Sequence, residues 1–255
     1  MIIRETEQAY VMTHQHEHAR LSGDIAKRFH AHLFLGEERR EDALHAVYEH
    51  DRAWITMDDT PIWNDGSGAP YSFMDYPLRP KLLCYRDGID ETERGNAYAA
   101  LLCSLHYANF EAIRTSDQPE MMAFRQHELE RQARIRAALA PLDEATVQRH
   151  LRILRLCDGL SLYVCLNEPG ADKAREHPWY RTGFDTPLVA GEQYVAHWAS
   201  PLEIGVAPTL FAETFTASVR QKQVPKTLIA ELGLHAAFER TSWTEQQATF
   251  LAEMN

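Results

Sequence analysis

The chain has no CxxC spacing among its four cysteines, Cys84, Cys103, Cys157 and Cys165. They read as small core residues of a reducing compartment, not as a thiol redox pair or a zinc-binding knuckle. No apolar run reaches 18 residues, so no membrane-spanning helix is expected. The opening MIIRETEQ carries charge at once and lacks the apolar stretch of a secretory signal, which points to a cytoplasmic protein. Positive charge is in deficit: 26 Lys and Arg stand against 37 Asp and Glu, a net charge of −11. That balance argues against nucleic acid or an anionic membrane as partner and leaves a small-molecule substrate as the expectation. There is no Walker loop, no GxGxxG, no GxSxG nucleophile elbow, no internal repeat and no low-complexity segment.

What remains is an ordinary globular composition. Hydrophobic residues make up 45% and charged residues 25% of 255, enough to bury a large core. Residues 1–13 alternate apolar and polar and predict a hairpin, with Thr13 as a cap for a first helix over about 14–30. A second helix is expected over 36–50, and a long ordered loop over 55–80, where Asp, Pro, Gly and Ser crowd around Trp63, Tyr71, Phe73 and Tyr76. Further helices are expected over 90–112, 117–139 and from Asp143 to Cys165, where NEPG stops the last. After residue 170 the segments EQYVAHWAS, PLEIGVAP and TFTASVRQKQVP read as strands of an antiparallel meander. A short helix over 226–241 and a final strand, QQATFLAEM, complete the pattern. The expected fold is therefore mainly α. A helical domain over 1–168 carries the N-terminal hairpin, and a β-rich appendage over 169–255 forms a smaller antiparallel layer.

The informative residues are polar groups on apolar stripes. Steps of three and four place His18 with Leu21, Ile25 and Phe29, and His50-Asp51 with Ala43, Val47 and Trp54. The same steps place His106 with Ala99 and Leu102, and Asp158 with Leu151, Leu154 and Leu162. Burying such groups without partners costs roughly 2–7 kcal/mol each, and more for a charge. A shared divalent transition metal (zinc, manganese or iron) would partner all of them at once. One alone would read as a satisfied core residue; four on separate helices point to a site.

At these residues a resemblance appears. His18, then His50-Asp51, then Asp158, separated by 32 and 107 residues, is similar to the H…HD…D signature of the HD superfamily of helical metal-dependent hydrolases, in which the HD pair ends a helix as YEHDRAW does here. The resemblance implies an HD-like helical core and metal ligands at His18, His50, Asp51 and Asp158. It also implies a catalytic contribution from Asp51 and His106, and one ion or a second beside it. Many hydrolytic members carry Lys three residues after the Asp; here that position is Trp54. Dinuclear members add two histidines, for which His106 and His127 are the candidates, although FRQHELERQ reads as a solvated face. The chain also resembles an uncharacterised bacterial family, a domain of unknown function, through QHEHARLSGDIA, HDRAWITMDDTPIW, GAPYSF, SLHYANF, LRLCDGLSLYVC and HPWYRTGF. Gln15, Trp54 and Trp63 are the substrate-binding candidates, and Arg20, Arg52 and Arg79 are the basic groups nearest the motifs. The expected function is metal-dependent hydrolysis of a small substrate, phosphorylated substrates included. A non-catalytic ligand-binding module and a di-iron oxygenase are the alternatives.

Overall fold

The structure, a computed structural model, describes residues 1–252. It opens on the hairpin of β1 (Ile2–Glu5) and β2 (Ala9–Thr13), followed by α1 (Gln15–Ala26) and α2 (Arg40–Glu49). A one-turn α3 (Ile55–Asp58) and a two-residue hairpin, β3 (Trp63–Asn64) with β4 (Ala69–Pro70), give order to the expected loop. The helices α4 (Leu78–Gly95), α5 (Ala97–Ala108), α6 (Glu111–Arg114), α7 (Pro119–Ala138) and α8 (Glu144–Leu166) follow. The chain then runs through β5 (Val195–Ser200), β6 (Glu203–Ala207), β7 (Phe215–Pro225), α9 (Lys226–Leu232), α10 (Leu234–Arg240) and β8 (Thr244–Phe250).

The sheet overturns the expected fold class. Six strands in the order β1-β2-β7-β8-β6-β5 curl into a half-barrel, and strand accounts for 17% of the chain beside 51% helix. This is not a mainly helical core with a small antiparallel layer. It is also not a meander. The last strand, β8, enters between β7 and β6, antiparallel to the first and parallel to the second through Glu203↔Thr249 and Ile204↔Phe250. Strands β5, β7 and β8 alternate, most clearly β7, whereas β2 and β6 are buried along most of their length; period-two alternation says which face is buried and not which strand lies alongside. The N-terminal hairpin joins the sheet through β2 on β7. The final residues of QQATFLAEM, 253 and 254, lie outside the described residues.

Helix boundaries differ from expectation where local chemistry competes. The helix expected over 90–112 is two helices, because Asn96 is extended (φ −153°, ψ 104°) and its side chain accepts from the Ala99 amide to start α5. The helix expected over 36–50 begins as a 3-10 turn, Glu37–Arg39, after Gly36 in the left-handed region. His14, not Thr13, precedes α1, and no side chain caps it. The helix expected over 226–241 is broken at Gly233, whose φ is +79°. At the start of α8, Asp143 accepts from the Ala145 and Thr146 amides.

Helix α8 is the axis of the molecule and packs on α1, α2 and α5, while α1 is held between α8, α2 and β7. One apolar core runs unbroken from Ile2 through these helices to Phe250. A smaller one gathers Met12, Val224 and Phe238 where the N-terminal hairpin meets α10. Among the described residues no helix is long and apolar enough to cross a membrane.

Candidate metal centre

Four segments bring their polar interruptions to one place. Helix α1 supplies His18, the end of α2 supplies His50 and Asp51, α5 supplies His106 and Tyr107, and α8 supplies Asp158. His50 directly follows the last residue of α2, and Asp51 leads into a 3-10 turn over Arg52–Trp54. The two adjacent side chains therefore leave the helix where the backbone turns away.

Two overlapping triads result. Atoms of His18, His50 and Asp51 lie within 4.8 Å of one another, as do atoms of His50, His106 and Asp158. The Nε2 atom of His18 is 2.8 Å from Asp51 Oδ2 and 3.8 Å from Asp158 Oδ1. The corresponding distances from His50 Nε2 are 3.8 Å and 3.5 Å. Two ligands about 2.1 Å from one ion at a tetrahedral angle would be about 3.4 Å apart, so the three longer separations are near those of a common ion, and the shortest is that of a hydrogen bond.

The hydrogen bonds behind the rings turn the same atoms inward. His50 donates from Nδ1 to the Val47 carbonyl at 2.7 Å, which leaves Nε2 as the lone-pair atom of the neutral ring. That Nε2 is buried and has no well-directed hydrogen-bond partner, and neither has Nδ1 of His106. The Ser22 hydroxyl donates to the His18 carbonyl and that of Ser161 to the Asp158 carbonyl. The Ser22 and Ser161 hydroxyls also meet each other at 2.7 Å, and the Ser161 hydroxyl lies 2.7 Å from His18 Nδ1, so this pair holds the His18 ring from behind. His18 Nε2 hydrogen-bonds Asp51 Oδ2 at 2.8 Å, which ties the two candidate ligands together. These buried groups could hold a metal ion.

The protonation balance is consistent with that role. Burial alone would lower the pKa of His50, but Asp51 and Asp158 overcome it and push it up to about 9. Burial would raise the Asp51 pKa; His50, His18 and the Tyr107 hydroxyl instead hold it below the usual carboxylate range. Asp158 is held down in the same way by His50, His106 and His18. Burial pushes His106 down to about 4, against the pull of Asp158. In the metal-free chain a proton on His50 does part of what a metal would do, while His106 stays neutral near pH 7.

The cluster forms the floor of an open cleft of about 810 Å³. Gln15 and Trp54, two expected substrate contacts, line it. The Gln15 side-chain oxygen is buried without a partner. Trp54 is almost fully buried, wedged between the rings of Tyr76 and Tyr85, so it walls the cleft from within the core. Trp63 is not brought there: it sits in β3, edge-on to Tyr10 at 6.2 Å. Its place at the rim is taken by Phe73 from the same segment and by Trp179. His127 is also remote, on the outer face of α7 beside Arg131 and Arg86.

The basic residues of the cleft are not those nearest the motifs in sequence. Arg20 is solvated, Arg52 pairs with Glu49 and Glu91, and Arg79 pairs with Glu120. The cleft is lined instead by Lys81, Arg114 and Arg155. Arg155 was within reach of sequence reasoning, since it lies one helical turn before Asp158. Ser22 and Ser161, which orient His18, carried no separate signal because a small polar residue in a helix is unremarkable. Tyr107 was hidden in an all-apolar helix.

Comparison with known proteins assigns the family. The model described as "Protein of unknown function (DUF3891)" matches residues 1–226, so the chain belongs to that family. No curated protein and no solved structure matches it.

Proposed function

We propose that this member of the DUF3891 family is a metal-dependent hydrolase of a small molecule, with His18, His50, Asp51 and Asp158 as ligands in the HD manner. The observation that carries this reading is that His50 Nε2 and His106 Nδ1 are buried without a well-directed partner, inside a cluster that also holds His18, Asp51 and Asp158. A purely structural cluster would be expected to satisfy those atoms by hydrogen bonds within the protein. Zinc, manganese and iron all accept this nitrogen and oxygen set. A bound ion would supply Lewis acidity and lower the pKa of a water from 15.7 to roughly 7.

The chain's own residues supply the rest. Tyr107 and His18 each hold one oxygen of Asp51 and so fix the carboxylate plane. His106, neutral near pH 7 and at the cleft floor, can accept a proton or hydrogen-bond a substrate oxygen. With His50 and Asp158 it also forms the triad that would take a second ion. Trp54 closes the wall where hydrolytic HD-superfamily proteins place Lys, so phosphate charge would have to be met elsewhere.

The test is elemental analysis of protein purified without a His tag, followed by hydrolysis assays with and without the recovered metal. One zinc or manganese per chain with metal-dependent hydrolysis supports the reading. Two irons with dioxygen uptake would favour an oxygenase. No metal under any loading condition would reduce the cluster to a ligand-binding module.

A further inference from the structure

The cleft has two features that a metal site by itself does not need. The first is Arg155, half-buried on α8 one turn before Asp158. Among the described residues no carboxylate lies within ion-pairing distance of its guanidinium, whereas Arg52 and Arg79 near the motifs are paired. It lines the cleft beside His106 and Asp158. Lys81, the other half-buried cation of the cleft, is already occupied, donating to the Phe73 carbonyl at 3.2 Å. A half-buried guanidinium without a counter-ion, facing a cleft, is placed to meet an anion.

The second feature is an apolar collar. Trp179 is 51% exposed and Met74 46% exposed, and both line the cleft. The Trp179 ring meets Phe73 edge-on at 6.3 Å, joining two segments more than a hundred residues apart, and Phe110 packs edge-on to His106 at 4.7 Å. An exposed Trp and Met gathered with two half-buried Phe at one cavity offer apolar surface for a ligand to cover.

Charge supports the combination. The cleft lining carries four carboxylates and three Lys or Arg side chains, hence 3 − 4 = −1. A divalent ion at the floor would bring it to +1, favourable to an anion.

We propose that the cleft takes a small amphiphilic anion, a flat apolar group joined to an acidic group. Arg155 binds the acid, and Trp179 and Phe73 cover the apolar part, with Phe110 below. The hydrolytic use of this ligand rests on the function proposed above; its binding rests on the cleft alone.

Two phosphonates that cannot be hydrolysed test it: methylphosphonate and 1-naphthylmethylphosphonate, which share the anion and differ in the ring. Affinities are measured by calorimetry on protein of known metal content. The naphthyl compound is expected to bind at least tenfold more tightly. Trp179→Ala should remove most of that difference, and Arg155→Gln should weaken both compounds at least fivefold. Both side chains are partly solvated, and an unchanged melting temperature would confirm intact folding. Equal affinities for the two phosphonates, or full retention of both by Arg155→Gln, would overturn the proposal. Metal-loaded protein that fails to discriminate would overturn this inference and leave the metal reading standing. Metal-free protein that discriminates and never takes up metal would sustain the inference and remove the hydrolase.

Discussion

Tyr107 donates its hydroxyl to Oδ1 of Asp51 at 2.8 Å, and the two residues come from helices that the sequence separates by 56 positions. The tyrosine is itself stacked on Tyr85, ring centroids 4.0 Å apart, so its hydroxyl has little freedom to turn elsewhere. Asp51 is thereby held by one neutral donor on one oxygen and His18 on the other.

Tyr107→Phe should therefore loosen the carboxylate without emptying the core. A hydrogen bond to a charged group contributes about 1.5–3 kcal/mol, so a destabilisation of that order is expected in urea unfolding. Metal affinity should fall tenfold to a hundredfold, as for other residues that orient a ligand. Unchanged metal affinity in a destabilised protein would make Tyr107 a packing residue only.

Chelation should lower the melting temperature of metal-loaded protein, because an ion that binds only the folded state stabilises it. Asp51→Asn should abolish that response. If the variant and the parent respond alike to chelator, Asp51 is not a ligand.

The metal-free protein should be most stable near pH 6.5. The pKa of His50 is raised to about 9, so its contribution is present below about 6.5 and is lost as pH rises through 9. That of His106 is lowered to about 4, so its contribution is present above about 6.5 and is lost as pH falls towards 4. Each shift corresponds to roughly 3 kcal/mol at full expression. Saturating metal should flatten the alkaline limb, since a ligand His50 carries no proton on Nε2. A stability curve for the metal-free protein that is level from pH 5 to 9 would contradict both shifts.

Gly88→Ala should be damaging although the position is helical. A Cβ there would meet the Ala53 backbone nitrogen and Cα at 2.6 Å, inside any real contact. Helix α4 crosses the turn after His50-Asp51 at this point, so the turn would have to move. We expect about 1–3 kcal/mol of destabilisation and weaker metal binding together. Intact metal affinity would show that the turn shifts as a unit with the cluster.

The sequence by itself determined the order of most helices and strands and the polar groups that interrupt them, though not where α4 begins or where Asn96 and Gly233 divide helices. Histidine and aspartate on helical apolar stripes are too costly to bury singly, and helical periodicity is local, so the inward direction of His18, His50, Asp51, His106 and Asp158 follows from their spacing alone. The Asp143 cap and the β7 alternation were legible for the same reason: each depends on neighbours within a few residues. Only the tertiary structure decided what lies beside what. The parallel entry of β8 between β6 and β7, which makes a half-barrel of the expected small layer, depends on backbone hydrogen bonds between distant segments, and these leave no pattern in side-chain order. The cleft's chemistry is non-local in the same way. Arg155 and Trp179 reach it, and Arg20 and Trp63 do not, because helix phase and loop path set the direction of a long side chain, whereas nearness in sequence does not.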